Sequence, residues 1–411
     1  LTIRGINGPM LSAAIQKPAI IINTDGVSIS GFKIKGVGKD SESKFEYYMN
    51  NPVAAAGMPL NTPNAAIVVK SNDALIKDTS IFGAQVGVYA DTVLNISLQN
   101  NTFESCGQGV DLLNCLGGKV DGCGFSNSAK SGVNAEHCSQ IVLSNNSIIN
   151  ATHVGLLLKE SEECSATNNT VSGCREGIGI VNTTFTDVRR NRLYRNWYGI
   201  VVYANNNTID ENWAEDNRQS DVIAGFGVGI HLMKESSDNI VSRNTIRKNY
   251  NGIELTTGCQ FNAVYGNNFS ENTNALRLDK NRNNLVYGNN FIRNTISGYD
   301  NMSRNTWNTT TFGNYYSDYR GKDDDQDDIG DVPYPMPKGD HDEVDARPLV
   351  KPFNAIALDV EEIKAEVKRY AKFGPADDEI PAVKVEGGTI VISSKIPTSP
   401  PEWPKTKSIF D

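Results

Sequence analysis

Two groups of residues in this sequence carry chemistry. The denser is the run Asp323-Asp324-Asp325-Gln326-Asp327-Asp328-Ile329-Gly330-Asp331. Asp323, Asp325 and Asp327 alternate, the Ile329 carbonyl follows, and Asp331 comes two residues later. That is the ligand order of a calcium loop, in which hard oxygen donors are spaced so that a tight turn brings them to one ion. The run departs from an EF-hand: Asp328 replaces the turn glycine, and Tyr334 stands where a bidentate glutamate would close the shell. Asp342 or Asp345 is the candidate to complete it. Carboxylates this dense repel one another without a cation, so a structural Ca2+ is the expected cofactor; a solvated acidic loop is the alternative.

The second group emerges from a repeat. His231 and Glu254 each lie two residues after a glycine, Gly229 and Gly252, and Arg277 lies two after Ala275. If these positions stack, the three side chains share one outward row, with Tyr203 and Asp279 in the row beside it. Arginine suits the carboxylate of a uronic sugar, histidine or glutamate can act as base, and tyrosine as acid. Trp197, Tyr198 and Tyr203 can stack on sugar rings. The paired carboxylates of a glycoside hydrolase are not at this place, and neither is the Asp-Asp with Gly-His-Gly pattern of pectin hydrolases. Asp279 can simply neutralise Arg277, and a solvated polar stripe is the competing reading.

What must position these residues is a motif that returns every 22 or 23 residues. An apolar marker recurs at Ile81, Phe103, Phe125, Ile148, Val171, Leu193, Trp213, Ile246, Phe269 and Phe291. Glycine recurs in the same register at Gly87, Gly109, Gly132, Gly155, Gly177, Gly199, Gly229 and Gly252. Such self-similarity means stacked units that bury their apolar faces on one another. After each glycine the pattern alternates, as in Ile230-His231-Leu232 and Ile253-Glu254-Leu255, which is the strand period. Leucine-rich repeats would need leucine at several fixed places, whereas Ile, Val and Phe interchange here. The sequence therefore predicts an all-β fold, a parallel β-helix of about 10–12 coils with a small C-terminal helix and strand extension.

Asparagine supports this reading. Three residues after the marker stand Asn196, Asn249, Asn272 and Asn294, with Cys106, Ala151 and Cys174 in the same slot earlier. Asparagine tolerates left-handed backbone and can bond to its own neighbours in a stack. Cys115 and Cys138 also share a slot in successive coils. A coil spacing of ~4.8 Å would allow a disulfide between them or a buried stack of small residues.

Residues 1–300 read as the β-helix, with insertions at about 38–63 and 214–227, residues 301–353 as its end, and 354–411 as a helix plus strand serving as cap or assembly arm. The strand Thr389–Ser393 could pair with a neighbour's open end. Leu1 opens within a strand, so upstream residues, a leader and an N-terminal cap among them, are expected to precede this sequence. The 411 residues carry a formal net charge of −9, which argues against nucleic acid as partner. No apolar run reaches the ~20 residues of a transmembrane helix. Sequons are frequent, and Asn95, Asn150, Asn182, Asn301 and Asn308 are candidate glycosylation sites of a secreted glycoprotein.

A resemblance then becomes specific. Gly313-Asn314-Tyr315-Tyr316-Ser317-Asp318-Tyr319, the acidic loop, Ile329-Gly330-Asp331-Val332-Pro333-Tyr334, Asp345, and Arg347-Pro348-Leu349-Val350-Lys351-Pro352-Phe353 resemble the end of NosD-type β-helix proteins, the carbohydrate-binding and sugar-hydrolase β-helix family. The Asn-rich repeats are similar too, and the resemblance covers roughly residues 1–353. It implies a right-handed β-helix, export, and in many archaeal members a cell-surface location. Copper delivery, the namesake's role, would want a Met- or His-rich cluster, which the sequence lacks. The expected function is a non-catalytic, extracellular or cell-envelope scaffold, self-assembling or bound to other envelope proteins, associated with carbohydrate and holding calcium. The alternatives are a polysaccharide lyase, epimerase or hydrolase, and a copper-delivery accessory protein.

Overall fold

The computed structural model describes residues 1–14, 17–36, 64–218, 226–301, 304–339, 343–355, 360–373, 384–386 and 389–391. The stretch 38–63, His341 and Asp342 lie outside the described residues, as does most of the segment after 373.

Each coil gives one short strand to each of three parallel sheets, and each sheet runs to thirteen strands. The order within a sheet follows the chain in steps of one coil. This is the expected parallel β-solenoid. Its glycine column is real: Val110 pairs with Val133, Val133 with Leu156 and Leu156 with Ile178, so the preceding glycines stack. The glycine is dictated by packing. A β-carbon on Gly109 would lie 2.4 Å from the Phe125 ring and 2.5 Å from the Gly132 carbonyl oxygen. The inward column beside it, from Val88 through Ile200 and Ile253 to Leu276, is fully buried. The markers stack as well, with Phe103 on Phe125 at 4.8 Å and Phe269 on Phe291 at 4.9 Å between ring centres.

One marker is corrected. Ala214, not Trp213, takes the inward place between Leu193 and Ile246. Trp213 points outward, 39% exposed. Trp213 stands directly after the corner asparagine, in the outward slot that Arg192 and Thr245 hold on the neighbouring coils, so the alternation turns it to solvent. Trp213–Glu215 is a strand and Asn217 stands in the asparagine column. Residues 213–217 therefore keep the coil's register, and 219–225 of the stretch expected to depart from it lie outside the described residues.

Asparagine runs in three columns, one at each corner. Between the second and third sheets stand Asn196, Asn217, Asn249, Asn272 and Asn294. Between the first and second stand Asn146, Asn169, Asn191, Asn212, Asn244, Asn267, Asn289 and Asn314. Between the third and first stand Asn207, Asn239, Asn262, Asn284 and Asn305. Every rung has the same form. Asn267 donates its backbone N–H (2.9 Å) and its side-chain amide (3.0 Å) to the side-chain oxygen of Asn289, and also donates the amide to the Val241 carbonyl at 2.8 Å. Corner backbone groups that no strand can satisfy are satisfied in this way. Cys115 and Cys138 form a free, buried pair in such a column, with the Cys115 N–H directed at the Cys138 sulfur at 3.4 Å.

The helix Val360–Phe373 lies along the side of the solenoid. Its Ile363, Val367 and Tyr370 pack on Ile240, Ala263, Tyr265, Leu285 and Tyr287, the outward side chains of the first sheet. It therefore covers its own coils. The strand Thr389–Val391 pairs antiparallel with Lys384–Glu386 of the same chain, so the edge expected to be open to a neighbour has an internal partner on one side.

Candidate functional site

The third sheet brings the predicted row together. His231 pairs in register with Glu254, and Glu254 with Arg277, on three successive coils. The row is not a solvated stripe: His231 and Glu254 are each 7% exposed. The Glu254 carboxylate accepts a hydrogen bond from the Asn251 side chain at 2.9 Å and an ion-paired one from Arg277. Arg277 also reaches Asp279 at 3.1 Å and lies 5.2 Å from the centre of the Tyr299 ring. Arg277 is thus committed to two carboxylates and one aromatic face. His231 differs. Neither of its ring nitrogens has a hydrogen-bond partner, and its ring stacks on Tyr198 at 5.6 Å. Burial pushes its pKa down, against the opposing pull of Glu254, so the ring is neutral near pH 7. Tyr203 sits one coil earlier and two residues along, 42% exposed, and forms no hydrogen bond or ring contact with the other three among the described residues. Trp197, 38% exposed, lies at the corner beside this sheet.

The acidic loop brings Asp323, Asp325 and Asp327 together, with one carboxylate oxygen of each within 4.8 Å of the others. These are hard donors with the spacing Ca2+ accepts. The loop is also shaped by its own turns. Asp323 accepts the N–H groups of Asp327 (3.1 Å) and Asp328 (3.2 Å), and Asp327 accepts that of Ile329 (2.8 Å). Asp331 is not in the cluster; its carboxylate caps the Asp324 N–H at 2.8 Å. Ile329 bridges to Leu349, which fixes the loop to the following segment.

Asp345 does not complete that shell. Its carboxylate is wholly buried and accepts from the Asn314 N–H (2.7 Å), the Asn314 amide (3.1 Å), the Arg347 N–H (3.0 Å) and the Tyr316 hydroxyl (3.2 Å). A β-carbon on Gly313 would lie 1.9 Å from this carboxylate, which is why the motif opens with glycine. The sequence shows Asp345 as part of the end motif but not this lock, because two of its donors are backbone N–H groups that no residue type announces.

The sequons have a structural origin. In Asn100-Asn101, Asn145-Asn146, Asn168-Asn169 and Asn206-Asn207 the first residue has positive φ and the second is a buried corner residue. Asn95, Asn150 and Asn182 are exposed and Asn301 is partly exposed. Asn308 is corrected: it is 9% exposed, and its side chain bonds to the Thr309 carbonyl and the Ala346 N–H.

Residues 150–321 match the family model described as periplasmic copper-binding protein (NosD), and residues 64–214 match that of the right handed beta helix region. The probable ABC transporter binding protein NosD of Stutzerimonas stutzeri is 27% identical over 144 residues, 33% of this chain and 28% of that protein. The chain thus spans little more than a quarter of that relative. Among solved structures, the mannuronan C-5 epimerase AlgE6 A-module of Azotobacter vinelandii superposes with a TM-score of 0.54 at 13% identity, covering 78% of this chain and 91% of that one. PfbA, a surface adhesin of Streptococcus pneumoniae, gives 0.47 at 13% identity, covering 67% and 78%. These are likenesses of fold.

The donors for copper do not fit. The seven cysteines are buried, and burial raises the thiol pKa of Cys106, Cys123, Cys174 and Cys259 to about 11. Among the described residues, the one histidine in a candidate metal group is His137, with Glu136 and Glu160. The Lys159 ammonium occupies that group, 2.5 Å from Glu136 and 3.6 Å from Glu160. A soft ligand set of the kind Cu(I) selects does not form there.

Proposed function

We propose that this distant NosD homologue is a non-catalytic scaffold of the cell envelope, associated with carbohydrate, whose C-terminal end is fastened by a structural calcium ion. The observation that carries the reading is the closure of Glu254, Arg277 and Asp279 on one another: the arginine that would have to hold a sugar carboxylate is already ion-paired with two carboxylates of the chain. The corner ladders support a structural role, since all three corners of the later coils carry them and they convert asparagine into stacking bonds. The calcium reading is supported by the Asp323, Asp325 and Asp327 oxygens, and the envelope location by the periplasmic description of the matching family. Its partners on this reading are further copies or other envelope proteins. A membrane permease joins them by analogy with the relative's name. The test is a screen of uronate polymers and neutral glycans for turnover. The scaffold reading expects none, and any turnover that disappears in His231→Ala would overturn it.

A second reading is favoured by His231 alone. A buried, neutral imidazole with both nitrogens unpartnered is suited to take a proton from a sugar carbon, as an epimerase or lyase requires. Glu254, Arg277 and Tyr203 would then position the uronate. Copper delivery is the weakest of the three readings, and a titration finding no binding tighter than micromolar would discard it.

A further inference from the structure

A cationic groove runs along the corner between the second and third sheets. It encloses about 880 Å3 and is lined by His153, Arg175, Arg195, Trp197, Asp216 and Arg218, with small residues between them. The ladder fixes their relation. The Glu176 N–H bonds to the His153 carbonyl (2.8 Å), the Trp197 N–H to the Cys174 carbonyl (3.1 Å), and the Tyr198 N–H to the Arg175 carbonyl (2.9 Å). His153, Arg175 and Trp197 therefore occupy equivalent corner positions on three successive coils.

The charge is unequal. Three arginines line the groove with a single carboxylate, Asp216, which Arg218 and Arg195 share, the latter at 3.8 Å. Arg175 is exposed and forms no ion pair among the described residues. This is notable in a chain of net charge −9. His153 feels the field: loss of hydration lowers its pKa first, and Arg175 and Lys130 lower it further.

We propose that this groove binds an acidic polysaccharide lying along the solenoid axis, with sugar carboxylates paired to Arg175, Arg195 and Arg218 and one ring stacked on Trp197. The guanidinium fork matches a carboxylate bidentately, and a half-exposed indole offers the apolar face a sugar ring needs. Successive coils rise ~4.8 Å, close to the length of one pyranose unit, so cations on neighbouring coils meet neighbouring sugars. The site is separate from the His231 row and stands whether or not that row is catalytic.

The experiment is equilibrium binding of polymannuronate, polyguluronate and polygalacturonate, with dextran as the neutral polymer and polyphosphate as the anion without a ring. The wild type is expected to bind at least one polyuronate, with affinity falling as salt rises. The double variant Arg175→Ala/Arg218→Ala should lose about tenfold or more, and Trp197→Ala should lose severalfold. Arg293→Ala, which changes an exposed arginine on the same side further along, should bind as wild type; all are checked for unaltered melting. Equal binding by the double variant, binding of dextran as tight as that of polyuronate, or tighter binding of polyphosphate would each overturn the proposal. Turnover of a bound polymer would overturn the scaffold reading and leave this site standing.

Discussion

The Asp345 carboxylate accepts both the backbone N–H and the side-chain amide of Asn314, at 2.7 and 3.1 Å. It thereby takes the place that the next asparagine would hold in that corner column. Burial pushes its pKa up to about 7, against the opposing hydrogen bonds. A carboxyl normally loses its proton near pH 4. Between about pH 4 and 7 the folded chain keeps a proton that the unfolded chain has released, so the contribution to stability falls as pH rises across that window and is level above it. Urea unfolding followed between pH 5 and 8 should show the C-terminal end weaken by roughly 2–4 kcal/mol, and Asp345→Asn should flatten the profile. A wild-type profile already flat over this range would contradict it.

The ladder makes a separate demand. Asn267→Ala removes an acceptor for Asn244 and donors to Asn289 and Val241 inside the coil, leaving buried backbone groups unpaired. The cost should be about 2–4 kcal/mol in chemical denaturation. An exposed turn asparagine such as Asn182, changed to alanine, should cost well under about 1 kcal/mol.

For the acidic loop, Ca2+ is expected to raise the melting temperature of the wild type and to do so far less in Asp325→Asn/Asp327→Asn. Chelator should reverse the gain. Without Ca2+ the double variant should melt no lower than wild type, because it relieves repulsion among exposed carboxylates. A melting curve indifferent to Ca2+ would remove calcium from the account.

Arg277 separates structure from catalysis. Arg277→Ala leaves the buried Glu254 without its cation and should destabilise by roughly 2 kcal/mol, with part recovered in Arg277→Ala/Glu254→Gln. A catalytic arginine would show itself differently, as lost turnover with no such recovery.

Much of the fold was legible because a solenoid repeats its instructions. Gly109, Gly132 and Gly155 recur since a marker side chain packs where a β-carbon would stand, and that demand is the same in every coil. Trp213 misled because its bulk suggests a core marker, whereas its place directly after Asn212 is the outward slot and the small Ala214 fills the inward one. Two of the three asparagine columns escaped notice; Asn101, Asn146 and Asn169 of the one and Asn207 of the other are hidden inside Asn-Asn-Ser/Thr triplets that also read as sequons. The row His231, Glu254 and Arg277 was readable as a column and the Arg277–Asp279 pair as an alternative, but the closure on Glu254 was not. Whether Arg277 is spent on Glu254 and Asp279 depends on rotamers, which alternation does not encode. The groove was missed because Arg175, Trp197 and Arg218 follow the corner slot of Cys174, Asn196 and Asn217, a turn position outside the strand rows that alternation reads.

A column of asparagines has no inherent length, since each rung presents to the next coil the same need that it met for the previous one. The Asp345 carboxyl receives both Asn314 bonds and hands none of the same kind to a further coil. By standing after Asn314, Asp345 gives that corner a full stop, and a chain that lost it would expose an unmet request to any strand of the same kind, which is how a bounded rod becomes a fibre.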